Sequence, residues 1–269
     1  MQSKVSFLGP EGTFTHEAAS KISNNLISFC SISSVMESVE NGECSKGIVP
    51  IENAIEGPVG ITLDLLANKS NLLISGEIII PINHNLLARK DLNFNDIEDV
   101  YSHSQALSQC HNFIENNNFK PHYTLSTAAA AKTISNMHNA GAIGTLKAAK
   151  LYDLKIIKEN IQDIQNNQTR FVILSKKDGE FSGNDKTSII FSIFEDLPGQ
   201  LYEILEIFAK KNINLTKIES RPSKEGLGKY FFFVDFEGHR KDLIIKKILN
   251  EIREKTPFLK ILGSYSKIL

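Results

Sequence analysis

The chain has 269 residues, and its 30 lysines and arginines against 31 aspartates and glutamates leave a formal net charge of −1 at pH 7. This balance argues against general nucleic-acid binding, which needs a basic excess, and against an acidic disordered chain. A hydrophobic content of 41% is that of a globular protein, and the length suggests about two domains.

The cysteines and the N-terminus bear on metal binding and location. Cys30, Cys44 and Cys110 are far apart and lack Cys-x-x-Cys partners, so their spacing does not suit zinc, and their low number fits a reducing cytosol. The first residues enter a strand-like run without a signal-peptide core, and no apolar stretch reaches the roughly 18 residues of a membrane span. We expect a cytoplasmic protein with no membrane partner.

Short apolar runs alternate with helical patterns as far as residue 175. The pattern predicts strands at 5–8, 47–51, 100–101, 122–125, 141–143 and 169–174. It predicts helices at 13–22, 61–67, 104–114, 127–137 and 146–152, and the spacing of Ser34 and Glu37 is typical of a capping box that opens another helix. This alternation favours an α/β fold with a mostly parallel sheet, which binds ligands at its strand ends.

One long β-prone stretch, 72–88 with a break at Pro81, interrupts the alternation. We interpret it as a crossing between two lobes, an arrangement that would form a cleft. The polar, glycine-containing segment 175–185 follows the last predicted strand of this region and is the best candidate for a linker.

The pattern changes after the linker. It predicts a strand at 187–194, a helix beginning at Pro198, strands at 213–219 and 230–236 joined by a turn at Gly226 and Gly228, a second helix over 245–252, and a strand at 258–265. The order βαββαβ is the ferredoxin-like arrangement.

Several polar motifs lie where a predicted strand passes into a helix. The two glycines of Gly9-Pro10-Glu11-Gly12-Thr13-Phe14 allow a ligand to approach the backbone, and the N–H groups of the helix behind them suit a carboxylate. Ordinary turns and helix caps explain this segment and its counterparts equally well. The counterparts are Glu52-Asn53, His103-Ser104-Gln105 and Ser126-Thr127.

The last strand of the first region begins with Gln168-Thr169-Arg170-Phe171. Because side chains alternate along a strand, Thr169 and Phe171 face one way and Arg170 faces the other. A strand edge with a surface arginine is the alternative interpretation of this segment.

Taken together and in this order, the motifs closely resemble those of the prephenate dehydratase family, monofunctional type. The matching segments are 7–19, 49–53 with Glu56-Gly57, 103–110, 126–131 and 169–171. The tail resembles the ACT regulatory domain of that family through Pro198-Gly199-x-Leu201 and Glu219-Ser220-Arg221-Pro222.

The resemblance implies a catalytic region at 1–180, with two lobes similar to type II periplasmic binding proteins, and a ferredoxin-like ACT domain at 186–269. It implies a carbon–oxygen lyase that decarboxylates and dehydrates prephenate to phenylpyruvate in phenylalanine biosynthesis, with no metal or organic cofactor. It also implies a homodimer or homotetramer, with phenylalanine bound between ACT domains as a feedback inhibitor.

The resemblance also assigns residues. Thr169 matches the catalytic threonine, which we expect to donate a hydrogen bond to the leaving oxygen; Arg170 would supply positive charge and Phe171 an apolar wall. The candidates for substrate binding are Gly12, Thr13, Phe14, Asn53, Ser104, Gln105, Ser126 and Thr127. The candidates for effector binding are Gly199, Leu201, Asn214, Glu219 and Ser220.

Four positions depart from the common family pattern. Ala54 replaces a serine, Ser104 a proline, Ala129 a glutamate and Gln200 an alanine. Two other functions stay open: an arogenate dehydratase, whose substrate differs from prephenate only in an amino group on the side chain, and a non-catalytic amino-acid sensor with a binding-protein-like cleft. The presence of both Thr169 and Arg170 favours the enzyme over the sensor.

Overall fold

The computed structural model describes residues 4–194, 197–224, 226 and 228–267. The chain forms two compact units. The first comprises Met1–Val35, Ile48–Gly57 and Ile79–Phe171, and the second comprises Met36–Gly47, Pro58–Ile78 and Val172–Leu269.

The described residues form strands and helices in alternation over most of the chain. The strands are β1 Val5–Leu8, β2 Leu26–Phe29, β3 Lys46–Asn53, β4 Gly57–Pro58, β5 Leu73–Pro81, β6 Asn85–Ala88, β7 Asp99–Ser102, β8 Lys120–Tyr123, β9 Ala140–Gly144, β10 Lys155–Lys158, β11 Gln168–Ser175, β12 Asp185–Ser192, β13 Leu215–Pro222, β14 Tyr230–Glu237 and β15 Phe258–Ser266. The helices are α1 Phe14–Ser20, α2 Ile32–Glu40, α3 Gly60–Asn68, α4 Ser104–Gln109, α5 His111–Asn116, α6 Thr127–Ile134, α7 Leu146–Leu151, α8 Gln200–Lys210 and α9 Leu243–Lys255.

Two sheets divide the strands that precede residue 176. One has the order β2-β1-β3-β11-β5, with β4 beside β3, and the other has the order β10-β6-β9-β7-β8. Strand β5 therefore lies in the first sheet and β6 in the second, so the stretch 72–88 does cross from one sheet to the other. In the first sheet β3 and β11 are neighbours, so the polar residues at the end of β3 and at the start of β11 lie on adjacent strands.

The second of these sheets is buried on both faces. Leu86 packs into a cluster with Val100 and Leu107, and its neighbour Leu87 packs into another cluster with Ala130 and Ala142. Consecutive residues of one strand serve opposite faces because side chains alternate. The small alanines of α6 let this helix lie close to the sheet, which positions its N-terminus.

The C-terminal sheet has the order β13-β14-β12-β15, and β12 is antiparallel to both of its neighbours. The helices α8 and α9 bury their apolar stripes against one face of it, through residues that include Phe208 and Ile248. The element order β12-α8-β13-β14-α9-β15 is the βαββαβ order predicted from the sequence.

Some details differ from the prediction. The prediction of a capping box that begins at Ser34 is wrong. Helix α2 begins at Ile32, and the Oγ of Ser31 accepts the backbone N–H of Ser34 at 3.0 Å. The helix predicted at 104–114 is two helices, α4 and α5, that meet at Cys110. Strands β2, β4 and β10 were not predicted.

The predicted linker 175–185 is fastened to the last strand. Gly179 donates its N–H to the carbonyl of Ser264 at 3.0 Å, and the Oδ1 of Asp178 accepts the N–H of Ser264 at 3.0 Å. These bonds hold the segment against β15. Within the ranges described above, no helix is long and apolar enough to cross a membrane.

Candidate active site

The first unit contains a cavity of about 130 Å³ at the ends of β3 and β11. Its wall combines polar groups that can bind a ligand with apolar side chains that exclude water. The lining residues are Phe14, Asn53, Ile82, His84, His103, Gln105, Ala106, Gln109 and Thr169.

Thr169 and Asn53 form the centre of the polar wall, and both are buried. The Oδ1 of Asn53 accepts the backbone N–H groups of Ile55 at 3.0 Å and Glu56 at 2.9 Å. A backbone N–H can only donate, so these bonds assign the side-chain oxygen of Asn53, and its Nδ2 must donate to the Oγ1 of Thr169 at 2.8 Å. The oxygen of Thr169 thus receives a hydrogen bond, and its own proton can be donated into the cavity.

The side chain of Asn53 also begins a chain of amides. Its Nδ2 lies 2.9 Å from the Oδ1 of Asn167, whose Nδ2 lies 3.2 Å from the Oε1 of Gln109. The Nε2 of Gln109 lies 3.2 Å from the Oε1 of Glu56, which returns the chain to the loop after β3. The amides therefore connect β3, β11 and α4 around the cavity.

His84 completes this polar wall and is 3% exposed. Its Nε2 lies 3.0 Å from the Oε1 of Gln109, and its ring packs edge to face against Phe14 with 5.6 Å between centroids. Burial lowers the pKa of His84 because the charged ring loses its hydration; the bond to Gln109 acts in the opposite direction. His84 is therefore neutral at pH 7.

The other two residues of the β11 motif lie outside the cavity wall. Arg170 directs its Nη1 to the Oε2 of Glu52 at 3.7 Å, with a side chain that is 10% exposed. Phe171 is fully buried in the core. The predicted alternation is present, but only Thr169 of the three lines the cavity, because Phe171 lies further along the strand and inside the fold.

Hydrogen bonds and close packing within the protein hold the glycine-containing loop before α1. The Oγ1 of Thr13 caps α1, accepting the N–H of His16 at 3.3 Å and donating to the carbonyl of Pro10 at 2.9 Å. Gly12 has φ +88°, and a Cβ there would lie 3.3 Å from Ala128 and Ala148. Of the predicted residues Gly12, Thr13 and Phe14, only Phe14 lines the cavity.

The remaining predicted positions begin helices. Ser126 caps α6 by accepting the N–H of Ala129 at 3.0 Å, and Thr127 is the first residue of that helix. His103, rather than Ser104, caps α4: its Nδ1 accepts the N–H of Gln105 at 3.3 Å. Gln105 lines the cavity, whereas Ser104, Ser126 and Thr127 do not.

Comparison with known proteins decides the family. The family model described as "Prephenate dehydratase" matches residues 5–179. This chain belongs to the prephenate dehydratase family. A second family model, described as "ACT domain", matches residues 187–254.

Individual relatives agree over nearly the whole chain. The bifunctional chorismate mutase/prephenate dehydratase of Aquifex aeolicus is 45% identical over 271 residues, which cover 99% of this chain and 74% of that protein. The prephenate dehydratase of Methanocaldococcus jannaschii is 42% identical, and the match covers 98% of both chains. The structure of prephenate dehydratase from Arthrobacter aurescens in complex with L-Phe superposes with a TM-score of 0.89 at 34% identity, covering 98% of this chain and 90% of that one. The predicted family and fold class, two α/β lobes followed by a ferredoxin-like ACT domain, are confirmed.

Five residues of the cavity wall of this family member were not among the predicted site residues: Ile82, His84, His103, Ala106 and Gln109. Gln109 follows Gln105 by four positions, so helical spacing places both on one face and could have indicated it. His84 has no comparable signal, because it lies in the crossing between the two sheets.

The predicted effector residues lie at two ends of the ACT domain. Gly199 is the N-cap of α8 with φ +92°, and Leu201 follows it in the first turn. Strand β13 runs parallel to β12, so its residues Glu219 and Ser220 lie at the same end as Gly199. Asn214 lies at the other end of α8, about 16 Å away by helix length. Ser220 and Glu219 face opposite sides of the sheet.

Proposed function

We propose that this chain is a prephenate dehydratase, a carbon–oxygen lyase that converts prephenate to phenylpyruvate in phenylalanine biosynthesis. The observation that carries the proposal is the hydroxyl of Thr169 in the cavity wall. Its oxygen accepts a hydrogen bond from Asn53 at 2.8 Å, which leaves its proton available to a ligand in the cavity. Family membership supports the same activity.

The reaction needs one hydrogen bond at the leaving oxygen. The bond between the ring carbon and its carboxylate breaks, its electron pair enters the ring, and the hydroxyl at the opposite carbon leaves with the electrons of its C–O bond. The prephenate dianion thus yields the phenylpyruvate anion, carbon dioxide and hydroxide. Thr169 donates to the oxygen as negative charge develops there, which is an electrostatic contribution.

Decarboxylation also depends on the apolar part of the wall. Phe14, Ile82 and Ala106 line the cavity beside the polar groups. A carboxylate placed against such side chains loses stabilising water, whereas the transition state spreads its charge into the ring. Arg170 acts indirectly in this proposal: its ion pair with Glu52 holds the end of β3 against β11.

The direct test is an assay of the purified chain with prephenate, with detection of phenylpyruvate. Formation of phenylpyruvate is the expected result, and its absence rejects the proposal. The same assay with arogenate separates the two dehydratases by their kcat/KM values. Binding of an amino acid without turnover of either substrate is the result that a non-catalytic sensor would give.

We also propose the division into a catalytic region at 1–180 and an ACT domain at 186–269, in a cytoplasmic enzyme. The proposal is supported by the strands, since β11 ends at Ser175, β12 begins at Asp185, and the two belong to different sheets. The family models for the two parts match on either side of it.

Phenylalanine is the proposed feedback inhibitor, bound between the ACT domains of a homodimer or of a homotetramer built from such dimers. Within one copy, Asn214 lies at the opposite end of the domain from Gly199, Leu201 and Ser220. Strand β13 is an edge of its sheet, and Ile218 on it is 47% exposed. Antiparallel pairing of two β13 edges would bring Asn214 of one copy beside Ser220 of the other, and so complete the proposed effector site.

Inhibition and assembly test this regulatory proposal. Phenylalanine should lower the rate of phenylpyruvate formation and change the sedimentation of the enzyme, because an inhibitor must bind one state of the assembly better than another. Unchanged activity and unchanged sedimentation at saturating phenylalanine would remove it as the effector.

A further inference from the structure

His84 is a buried polar residue to which the proposed reaction assigns no role. Phe14 packs against its ring. Its backbone is held as well, since its N–H donates to the Oε1 of Gln162 at 2.9 Å and its carbonyl accepts the N–H of Ile161 at 2.9 Å. The Nδ1 atom is buried and has no hydrogen-bond partner in the described part of the chain. Of its two ring nitrogens, Nε2 alone makes a hydrogen bond within the described residues.

The hydrogen-bond direction at His84 follows from the backbone. The N–H groups of Ile55 and Glu56 assign the oxygen of Asn53, and its Nδ2 must therefore donate to the Oδ1 of Asn167. The Nδ2 of Asn167 then donates to the Oε1 of Gln109, which leaves the Nε2 of Gln109 to donate to the Glu56 carboxylate. Every amide orientation is determined, and no link can reverse alone.

The last link determines the tautomer of the histidine. Because the Oε1 of Gln109 is an acceptor, the Nε2 of His84 at 3.0 Å must carry the proton and donate it. The opposite tautomer would set a nitrogen lone pair against this oxygen. Gln109 would then turn its amide, and its NH₂ group would face the NH₂ group of Asn167.

We propose that His84, as the neutral Nε2–H tautomer, is a positioning residue for the dehydratase reaction. Its donated hydrogen bond holds Gln109 and, through it, Asn167 in the orientation that gives the Nδ2 of Asn53, beside its bond to Thr169, an acceptor rather than an opposing NH₂ group. The inference rests on the proposed function for its kinetic effect, whereas the tautomer is a property of the protein alone.

Two substitutions distinguish the effect of the Nε2–H donor of His84 from the effect of removing its ring. The side-chain amide of His84→Gln reaches the position of the Nε2 atom and can still donate to Gln109. The shorter amide of His84→Asn ends near the position of the Nδ1 atom and cannot reach it. We expect His84→Asn to lower kcat for prephenate at least tenfold with a much smaller change in KM, and His84→Gln to keep most of the wild-type kcat.

The measurements are steady-state kinetics, thermal unfolding of both variants, and nitrogen NMR of histidine-labelled wild-type enzyme, with His84 assigned by its absence in the variants. Equal losses in two folded variants, or no loss in either, would overturn the proposal. So would a proton on Nδ1, even if His84→Asn fails to fold. If wild-type enzyme forms no phenylpyruvate but His84 carries its proton on Nε2, the proposed function fails while the structural inference stands.

Discussion

At the scale of single residues, the cavity shows how a weak acid such as threonine becomes a directed donor. Its hydroxyl can donate or accept, and the Nδ2 of Asn53 at 2.8 Å fills one acceptor position of the oxygen. The orientation of the Asn53 amide is fixed, because two backbone N–H groups donate to its own oxygen. The proton of Thr169 thus stays available for a hydrogen bond to substrate, which is an electrostatic contribution to the reaction.

Removing this hydroxyl should impair chemistry more than folding. We expect Thr169→Ala to lower kcat by about 10² to 10³, as for the loss of one transition-state hydrogen bond, and Thr169→Ser to retain part of the activity. Phenylpyruvate formation measures the effect, and circular dichroism verifies the fold. An alanine variant with the wild-type kcat would exclude Thr169 from the mechanism.

The buried histidine should also make stability depend on pH. Burial lowers the pKa of His84 below its ordinary value of 6.5. As the pH falls below this value, the unfolded chain takes up a proton before the folded chain does. The free energy of unfolding should therefore fall as the pH falls from about 6.5 through the lowered pKa, by up to about 1.4 kcal/mol per pH unit.

Urea unfolding at a series of pH values measures this slope, with His84→Gln as the matched variant. Burial and the nearby Lys147 also lower the pKa of His16, with Glu11 acting against them, so the variant should keep part of the dependence. Parallel curves for wild type and variant would show that His84 does not contribute.

At the scale of elements, helix α3 depends on a charge from a distant strand. The ammonium of Lys260, on β15, donates to the carbonyls of Leu66 at 2.7 Å and Ser70 at 2.6 Å. The last carbonyls of a helix have no partner within it, and a cation there also suits the helix dipole. Burial lowers the pKa of Lys260, with Glu40 acting in the opposite direction. The end of α3 is therefore stabilised by the tertiary fold rather than by its own sequence.

Replacing this lysine should destabilise the protein. Lys260→Met keeps the aliphatic part of the side chain but removes the donor to the carbonyls of Leu66, Ala67 and Ser70, and we expect the free energy of unfolding to fall by about 1–3 kcal/mol. Chemical denaturation measures the change. Lys210→Met is the control, because this lysine is 67% exposed in a surface pair with Glu206 and should cost at most about 0.5 kcal/mol. Equal effects of the two substitutions would contradict the capping role.

At the scale of the whole molecule, β13 and β15 are the two outer strands of the C-terminal sheet, and the segment 175–185 is hydrogen-bonded to β15. An edge strand presents unpaired N–H and C=O groups that a second copy can use. Of the predicted effector residues, Asn214 precedes β13 and Glu219 and Ser220 lie on it, whereas the α8–α9 face of the sheet is filled by the core. In the proposed dimer, pairing along β13 would join assembly and regulation in one surface.

A charge on the β13 edge should prevent both dimerisation and inhibition by phenylalanine. We expect Ile218→Lys to shift sedimentation from dimer to monomer and to abolish inhibition by phenylalanine, because the two introduced lysines would lie close together as diagonal neighbours beside the two-fold axis. Ile244→Lys on α9 is the matched control, since Ile244 is 53% exposed in the same domain. An Ile218→Lys enzyme that stays dimeric and inhibited would place the interface elsewhere.

The sequence by itself determined most of the elements and the family. Apolar periodicity is a local property, so β1, α6 and the βαββαβ order could be predicted, as could the crossing between two sheets near Pro81. Thr169 and Asn53 were found because their motifs have a recognisable order along the chain. The alternation of Thr169, Arg170 and Phe171 also followed from strand geometry alone.

Only the tertiary structure decided which of these residues share a cavity. His84 bonds to Gln109, and Gln109 bonds to the chain of amides that leads to Thr169. The partners in these hydrogen bonds are separated by 25 to 116 positions in the sequence, and no local pattern encodes such contacts. The same holds for Thr13 and Ser126, whose hydroxyls cap helices, and for Arg170, which pairs with Glu52. A motif indicates which side chains are available, but their hydrogen-bond partners depend on which strands and helices the fold places side by side.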